Sequence, residues 1–166
     1  MRAMVFCGMA LLAAFTGAAQ AANFDDPKGL VTALYEPYTH GAQPADLQGF
    51  YTDGLKLMFA KHVQQAALSN GIATGPQLAA AREPEFDPFV NAQHYLLFDL
   101  TIGEPVINGN HALVDVSYKN FDHPTTLSLA LVKGAEGWKI DDVASLGADQ
   151  HWLLSWLLTY DPLGVH

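Results

Sequence analysis

Apolar side chains recur every three to four residues at Leu30, Val31, Leu34, Tyr35 and Tyr38, a spacing that predicts an amphipathic helix over residues 27–40. Asp26-Pro27 marks its start: the carboxylate can accept from orphan N–H groups of a first turn, and proline at the first helical position gives up no needed donor. Pro37 predicts a bend near the far end. A second stripe, Leu55, Met58, Phe59, His62, Val63 and Ala66, predicts a helix over residues 52–68 that stops before Asn70-Gly71. Between them, residues 41–50 read as a Gly- and Pro-bearing connection with a short turn at Asp46-Leu47. Residues 69–84 show little periodicity beyond a short helical piece at 77–82, so a mobile segment is expected there. Asp87-Pro88 repeats the cap-and-proline device and predicts a helical turn through Phe89, Val90 and Asn91.

From Tyr95 onward the period falls to two. Strands are predicted over residues 95–107, 111–120, 125–133 and 137–143, joined by turn residues at Asn108-Gly109-Asn110 and at 134–137. In the second of these, Val114, Val116 and Tyr118 share one face while Leu113, Asp115 and Ser117 share the other. A last helix is expected over residues 150–160, capped by Asp149, carrying Trp152, Leu153, Trp156, Leu157 and Tyr160, and ended by Pro162. Helices followed by an antiparallel meander predict an α+β fold, with N-terminal helices packed in a curved, cone-like sheet and a helix at the C-terminus. Leu127, Leu129 and Leu131 alternate with Thr126, Ser128, Ala130 and Val132, so this sheet needs a cover on both faces. Assigning the second cover to the last helix favours a monomer over a homodimer.

The segment before the first helix has a different character. Met1-Arg2 supplies a charge, residues 3–15 are almost wholly apolar, and Ala19-Gln20-Ala21 has the small-x-small form that signal peptidase reads. Residues 1–21 are therefore expected to be a signal peptide and residues 22–166 a single exported domain, periplasmic or secreted, of 145 residues (166 − 21). The apolar run is too short to cross a bilayer, and Cys7 sits too early in it for lipid attachment, so no stable membrane anchor is expected. Cys7 is the single cysteine, which removes disulfides and thiolate chemistry from the mature chain. Lys+Arg is 8 against Asp+Glu 17, a formal charge of -9. That sign excludes a nucleic-acid partner.

The element order, the stretch Glu85-Phe86-Asp87-Pro88-Phe89-Val90-Asn91-Ala92-Gln93 and the ending Gly137-Trp138-Lys139-Ile140-Asp141-Asp142-Val143 resemble an exported bacterial family called domain of unknown function 3828. That family is related in fold to nuclear transport factor 2 and ketosteroid isomerase. The resemblance implies a curved sheet around a helix-lined pocket. Where the family commonly carries an acidic residue after the glutamine, this chain has His94. Kinship of fold supplies no reaction, because function lives in sites grafted onto folds.

The candidate chemistry is sparse. Asp87 is either a pocket carboxylate able to act as a general base or a helix cap, and the dipeptide fits the cap. His94, beside Gln93 and Tyr95, can exchange protons near neutral pH, yet sequence fixes no nucleophile or carboxylate beside it. Asp115 faces either the interior or water, depending on which side of the sheet the helices cover. Asp141 and Asp142 alternate to opposite faces and are not expected to share a ligand. No pair among the seven histidines has the i, i+4 spacing of zinc ligands, so no metal is expected, and nucleotide, dinucleotide and acyl-transfer motifs are absent, so no cofactor is expected.

Three readings follow. The favoured one is a non-catalytic binding or interaction module, whose pocket, lined by Tyr38, Phe59, Phe89, Gln93 and Tyr118, would take a small apolar ligand if the partner is not a protein. The second is an acid–base enzyme of isomerase, dehydratase or hydrolase type that uses Asp87 or Asp115 with His94. The third is an inhibitory or immunity partner of a basic protein, which the negative charge would draw in quickly.

Overall fold

The computed structural model describes residues 23–69, 87–147 and 151–160. Helix α1 (Pro27–Thr39) starts as expected, with the Gly29 N–H donating to Asp26 Oδ2 at 2.7 Å and Pro27 in the first turn. It continues through Pro37, and the chain turns out of it where the His40 and Ala42 N–H groups both reach the Pro37 carbonyl at 3.0 Å. A single 3-10 turn (Gln48–Phe50) follows, held by the Gly49 N–H on Asp46 Oδ1. Helix α2 (Asp53–Ser69) is set by Thr52, whose hydroxyl accepts from the Leu55 N–H at 3.2 Å and donates to Asp141 Oδ1 at 2.8 Å. The Thr52 N–H also donates to the Ile140 carbonyl at 2.8 Å, so the start of α2 is fastened to the sheet.

The sheet contains β1 (Leu97–Ile102), β2 (Val106–Asn108), β3 (His111–Asn120), β4 (His123–Gly134), β5 (Gly137–Leu146) and β6 (His151–Leu153). All pairings are antiparallel, in the order β1-β3-β4-β5-β6, with β2 also on β3. The strand expected over 95–107 is therefore two. Pro105 has no N–H for the ladder, and Gly103-Glu104-Pro105 breaks the pairing, save for the Gly103 N–H on the Asp115 carbonyl at 2.8 Å. Strand β5 carries a bulge: Ala130 faces Asp142 and Leu131 faces Ile140, so Asp141 has no partner across the ladder.

Two further expectations are corrected. The turn at Asp87-Pro88 has one i→i+3 bond, the Val90 N–H on the Asp87 carbonyl at 3.3 Å, but it does not run on through Asn91, whose φ is +52°; the Asp87 N–H on the Ala92 carbonyl at 3.1 Å closes it into a tight loop. The last helix does not span 150–160: His151–Leu153 pairs with Ala144–Leu146 as β6, and only Leu154–Tyr160 is helical, as α3. Pairing with β5 satisfies the backbone there, and the N–H at the helix start finds Asp142, the Ser155 N–H donating to its Oδ1 at 3.0 Å. The expected leader at 1–21, the helical piece at 77–82 and the cap Asp149 lie outside the described residues.

Alternation along β3 is strict, with Ala112, Val114, Val116 and Tyr118 buried and the residues between them exposed. Helix α1 packs across β1, β3 and β5 on that buried face, and Leu127, Leu129, Leu131, Ile140 and Val143 of β4 and β5 join the same core. Helix α3 packs on α2 and β5 and sends Leu154 and Leu158 into the same core. It therefore does not cover the other face of the sheet, and the argument for a monomer from a sheet covered by its own last helix does not hold. That outer face carries the cross-strand row Val106, Leu113, Ala130, Asp142 and, beside it, the row Asp115, Ser128, Ala144, Leu153. Val106 is 70% and Leu113 50% exposed.

Gly137 carries the closest backbone approach in the molecule as described. Its φ is +82°, and a Cβ there would lie 2.4 Å from the Phe24 carbonyl oxygen, whose acceptor role toward the Trp138 N–H pins the chain ahead of α1 to β5. Gly109, at φ +63°, has open space around it. Gly137→Ala is expected to cost about 3 kcal/mol and Gly109→Ala about 1 kcal/mol in guanidinium denaturation, since only the first must also displace backbone. Equal costs would contradict the close approach.

Candidate functional site

The loop at residues 87–92 buries Pro88, Phe89 and Val90 without being helix or strand, so a polar backbone group that it does not pair within itself needs a partner from elsewhere. Tyr35, from α1, donates to the Phe89 carbonyl at 2.8 Å, and Tyr118, from β3, donates to the same oxygen at 3.2 Å. The Phe89 N–H donates to Asp87 Oδ1 at 2.8 Å. Asp87 Oδ2 accepts from the Tyr38 hydroxyl at 2.7 Å and from Gln43 Nε2 at 3.0 Å. At the other end of the loop, the Trp152 indole N–H from β6 donates to Asn91 Oδ1 at 3.0 Å. Asn91 takes φ +52°, a conformation that asparagine tolerates better than most residues.

Aromatic rings fill the space around this loop. Tyr51 stacks on Phe59 with centroids 5.3 Å apart and on Phe89 at 6.1 Å, while Tyr95 meets Tyr38 edge-on at 5.4 Å. Tyr35 leans on Tyr38 at 5.8 Å and on Tyr118 at 6.3 Å. Five of the six tyrosines thus converge on one carboxylate. Burial pushes the Tyr35, Tyr38, Tyr51, Tyr95 and Tyr118 hydroxyls above their ordinary range, and the negative charge of Asp87 adds to the effect at each. At these positions the neutral phenol is a hydrogen-bond donor and not a base.

Asp87 accepts from Tyr38, while Tyr118 donates to the Phe89 carbonyl, and the oxygens of Asp87 cap the loop and hold two side-chain donors. Phe89, Tyr38 and Tyr118 are buried in the core cluster, Tyr118 donating to the Phe89 carbonyl and Tyr38 to Asp87. Phe59 is half-buried against Tyr51, and Gln93 is exposed. His94 is also exposed; its carbonyl accepts from Asn120 Nδ2 at 3.2 Å. Asp115 lies on the outer face, opposite the aromatic interior, so it cannot share a substrate with Asp87 across the sheet. Asp141 and Asp142 hold different partners, Thr52 and Ser155. Among the described residues no group of three His, Cys, Asp or Glu side chains is placed to hold a metal ion.

Sequence reasoning missed Gln43 and Asn91, which lie in connections where no spacing marks a role. Tyr35 and Tyr38 carried a readable signal, since i, i+3 residues share a helix face, though their shared target did not.

Two outcomes are expected. Asp87→Asn removes a charge-assisted acceptor from three donors and should lower stability by about 2 kcal/mol in guanidinium denaturation, with Tyr38→Phe costing less. An unchanged midpoint for Asp87→Asn would show that the carboxylate does not hold the loop. In a spectrophotometric titration, Tyr35, Tyr38, Tyr51 and Tyr118 should stay protonated in the native protein well above pH 10, the ordinary phenol value, and Tyr95 should titrate above it by less. Because these hydroxyls ionise more readily once unfolded, their contribution is complete below pH 10 and is lost as pH rises beyond it, so the titration should be steep and coincide with loss of near-ultraviolet circular dichroism.

No family model matches the chain. No curated protein matches it. Among solved structures it is similar to a chain in the type VI native effector–immunity complex Tae3–Tai3 from Ralstonia pickettii, at 14% identity over 76% of this chain and 100% of that one, with a TM-score of 0.45. It is also similar to the phospholipid-binding protein from Ralstonia solanacearum, described in complex with a phospholipid, at 18% identity over 80% of this chain and 83% of that one, with a TM-score of 0.42. Neither likeness assigns a function to this chain.

Proposed function

We propose that this chain is an exported, non-catalytic interaction module whose partner meets its surface and does not enter its interior. The observation that carries the reading is the use made of the aromatic interior: Phe89 and the tyrosines around it pack their rings on each other, and Tyr35, Tyr38 and Tyr118 spend their hydroxyls on the 87–92 loop. The burial of Tyr38, Phe89 and Tyr118 supports a partner at the surface over a small apolar ligand inside. An acid–base reading needs Asp87 and His94, or Asp115 and His94, to act on one substrate. Asp87 already serves three donors, and Asp115 is on the opposite face from the interior.

The charge favours one class of partner. All six lysines lie in the described residues, and three of them are already paired with carboxylates, Lys28 with Glu104, Lys56 with Asp53 and Lys119 with Asp99. The formal charge of -9 is left to exposed carboxylates such as Glu36, Asp115, Asp122 and Glu136, which fits an inhibitory or immunity role toward a basic protein.

Native mass spectrometry of the purified protein is expected to give the bare polypeptide mass. Gel filtration of a gently prepared extract of its own source is expected to place it in a complex heavier than the 17.9 kDa chain, dissociating as salt is raised. A co-released small molecule, or elution as the lone chain at low salt, would overturn the interaction reading.

A further inference from the structure

The outer face of the sheet joins exposed apolar side chains to a carboxylate that has no ionic partner among the described residues. Asp115 projects from the middle of β3 into the row it shares with Ser128 and Ala144, beside the row of Val106, Leu113 and Ala130. Its neighbours leave it accessible. Gly103, bonded to the Asp115 carbonyl, contributes no side chain on one flank, and Ser128 contributes a small one on the other. The remaining charges on or around this face are already engaged: Lys119 is paired with Asp99 at 2.6 Å, Lys28 with Glu104, and Asp142 holds the Ser155 N–H. Asp115 is thus a carboxylate without an ionic partner among the described residues at the middle of a face that is apolar and hydroxyl-bearing around it, from Val106 and Leu113 to Ser117, Thr101 and Leu153, with His111 and Lys119 toward the two ends of β3.

We infer that the outer sheet face docks a protein partner that brings an arginine to Asp115 and seats apolar side chains on Val106 and Leu113. This rests on the interaction reading above and names the chemistry of the partner. A planar guanidinium matches a carboxylate through two parallel N–H···O bonds, and an apolar surround that excludes water strengthens such a pair. Charge selects among the possible occupants. A second copy related by a two-fold axis through this face would bring Asp115 toward its own twin, between chains of formal charge -9 each, and that repulsion disfavours self-association. An anionic lipid surface is opposed by the same sign.

The test is a titration of the 15N-labelled protein with the peptide acetyl-Leu-Arg-Leu-amide, against the same peptide with neutral citrulline in place of arginine. Amide shifts are expected to concentrate at 101–106, 113–117 and 126–130, with the citrulline peptide binding about tenfold more weakly. Asp115→Asn, an exposed change whose spectrum itself reports an intact fold, should erase the preference for arginine, and Leu113→Asp should weaken both peptides. Shifts spread over Glu36, Asp46 and Glu136, an arginine preference that survives Asp115→Asn, or no shifts at millimolar peptide would each overturn the inference. Equal binding of both peptides on this face would remove the arginine while leaving an interaction module standing. Sedimentation that shows a dimer broken by Leu113→Asp would replace the proposed partner with a second copy.

Discussion

A buried stretch of chain with no repeating hydrogen bonds is the constraint around which this fold is arranged. The loop at 87–92 places Pro88, Phe89 and Val90 in the core, where an unpaired N–H or carbonyl costs as much as a lost hydrogen bond or more. Part of the pairing is made within the loop, the Asp87 N–H on the Ala92 carbonyl and the Val90 N–H on the Asp87 carbonyl. At Phe89 side chains supply it: Tyr35 and Tyr118 donate to the carbonyl and Asp87 accepts from the N–H, while Tyr38 and Trp152 hold the side chains of Asp87 and Asn91. Tyrosine at 35 and 118 meets this demand where leucine would pack but could not donate. Among the described residues no buried side-chain nitrogen or oxygen lacks a partner.

The same demand gives the aromatic interior its chemical character. A phenol that donates to a carbonyl or a carboxylate inside a protein must keep its proton, and burial beside a negative charge ensures that it does. Tyr35, Tyr38 and Tyr118 are thereby fixed donors, to the Phe89 carbonyl and to Asp87. On the other side of the sheet, Asp115 and the apolar side chains around it have no such obligations among the described residues.

Much of the architecture was legible because it depends on local pattern. The two N-terminal helices, with the Asp26 cap, and the strict alternation of β3 follow from spacing alone. The C-terminal segment was misread because Trp152, Trp156 and Tyr160 fit a helical stripe from 150 onward, whereas pairing of His151–Leu153 with β5 is a long-range gain that no window contains. The break between β1 and β2 was marked by Pro105 and was passed over because the flanking residues are strongly strand-forming. For the site, Asp87, Tyr38 and Tyr118 were named from their chemistry, but the roles were set by contacts across 49 and 29 residues of chain. Which face of β3 is covered decided the fate of Asp115, and a pattern with apolar residues on both faces leaves that choice to tertiary packing.

The two-residue links within the meander give this chain a division of labour. Strands β2 to β5 close through neighbours only a few residues apart, so their hairpins form with little loss of loop entropy. The loop around Phe89 joins partners separated by 54, 29 and 61 residues, through Tyr35, Tyr118 and Trp152. It can be locked only after α1 and the sheet have met. The meander thus rests on local closures and the docking of the loop on distant ones, so the single set of tyrosine bonds depends on the rest of the fold being in place.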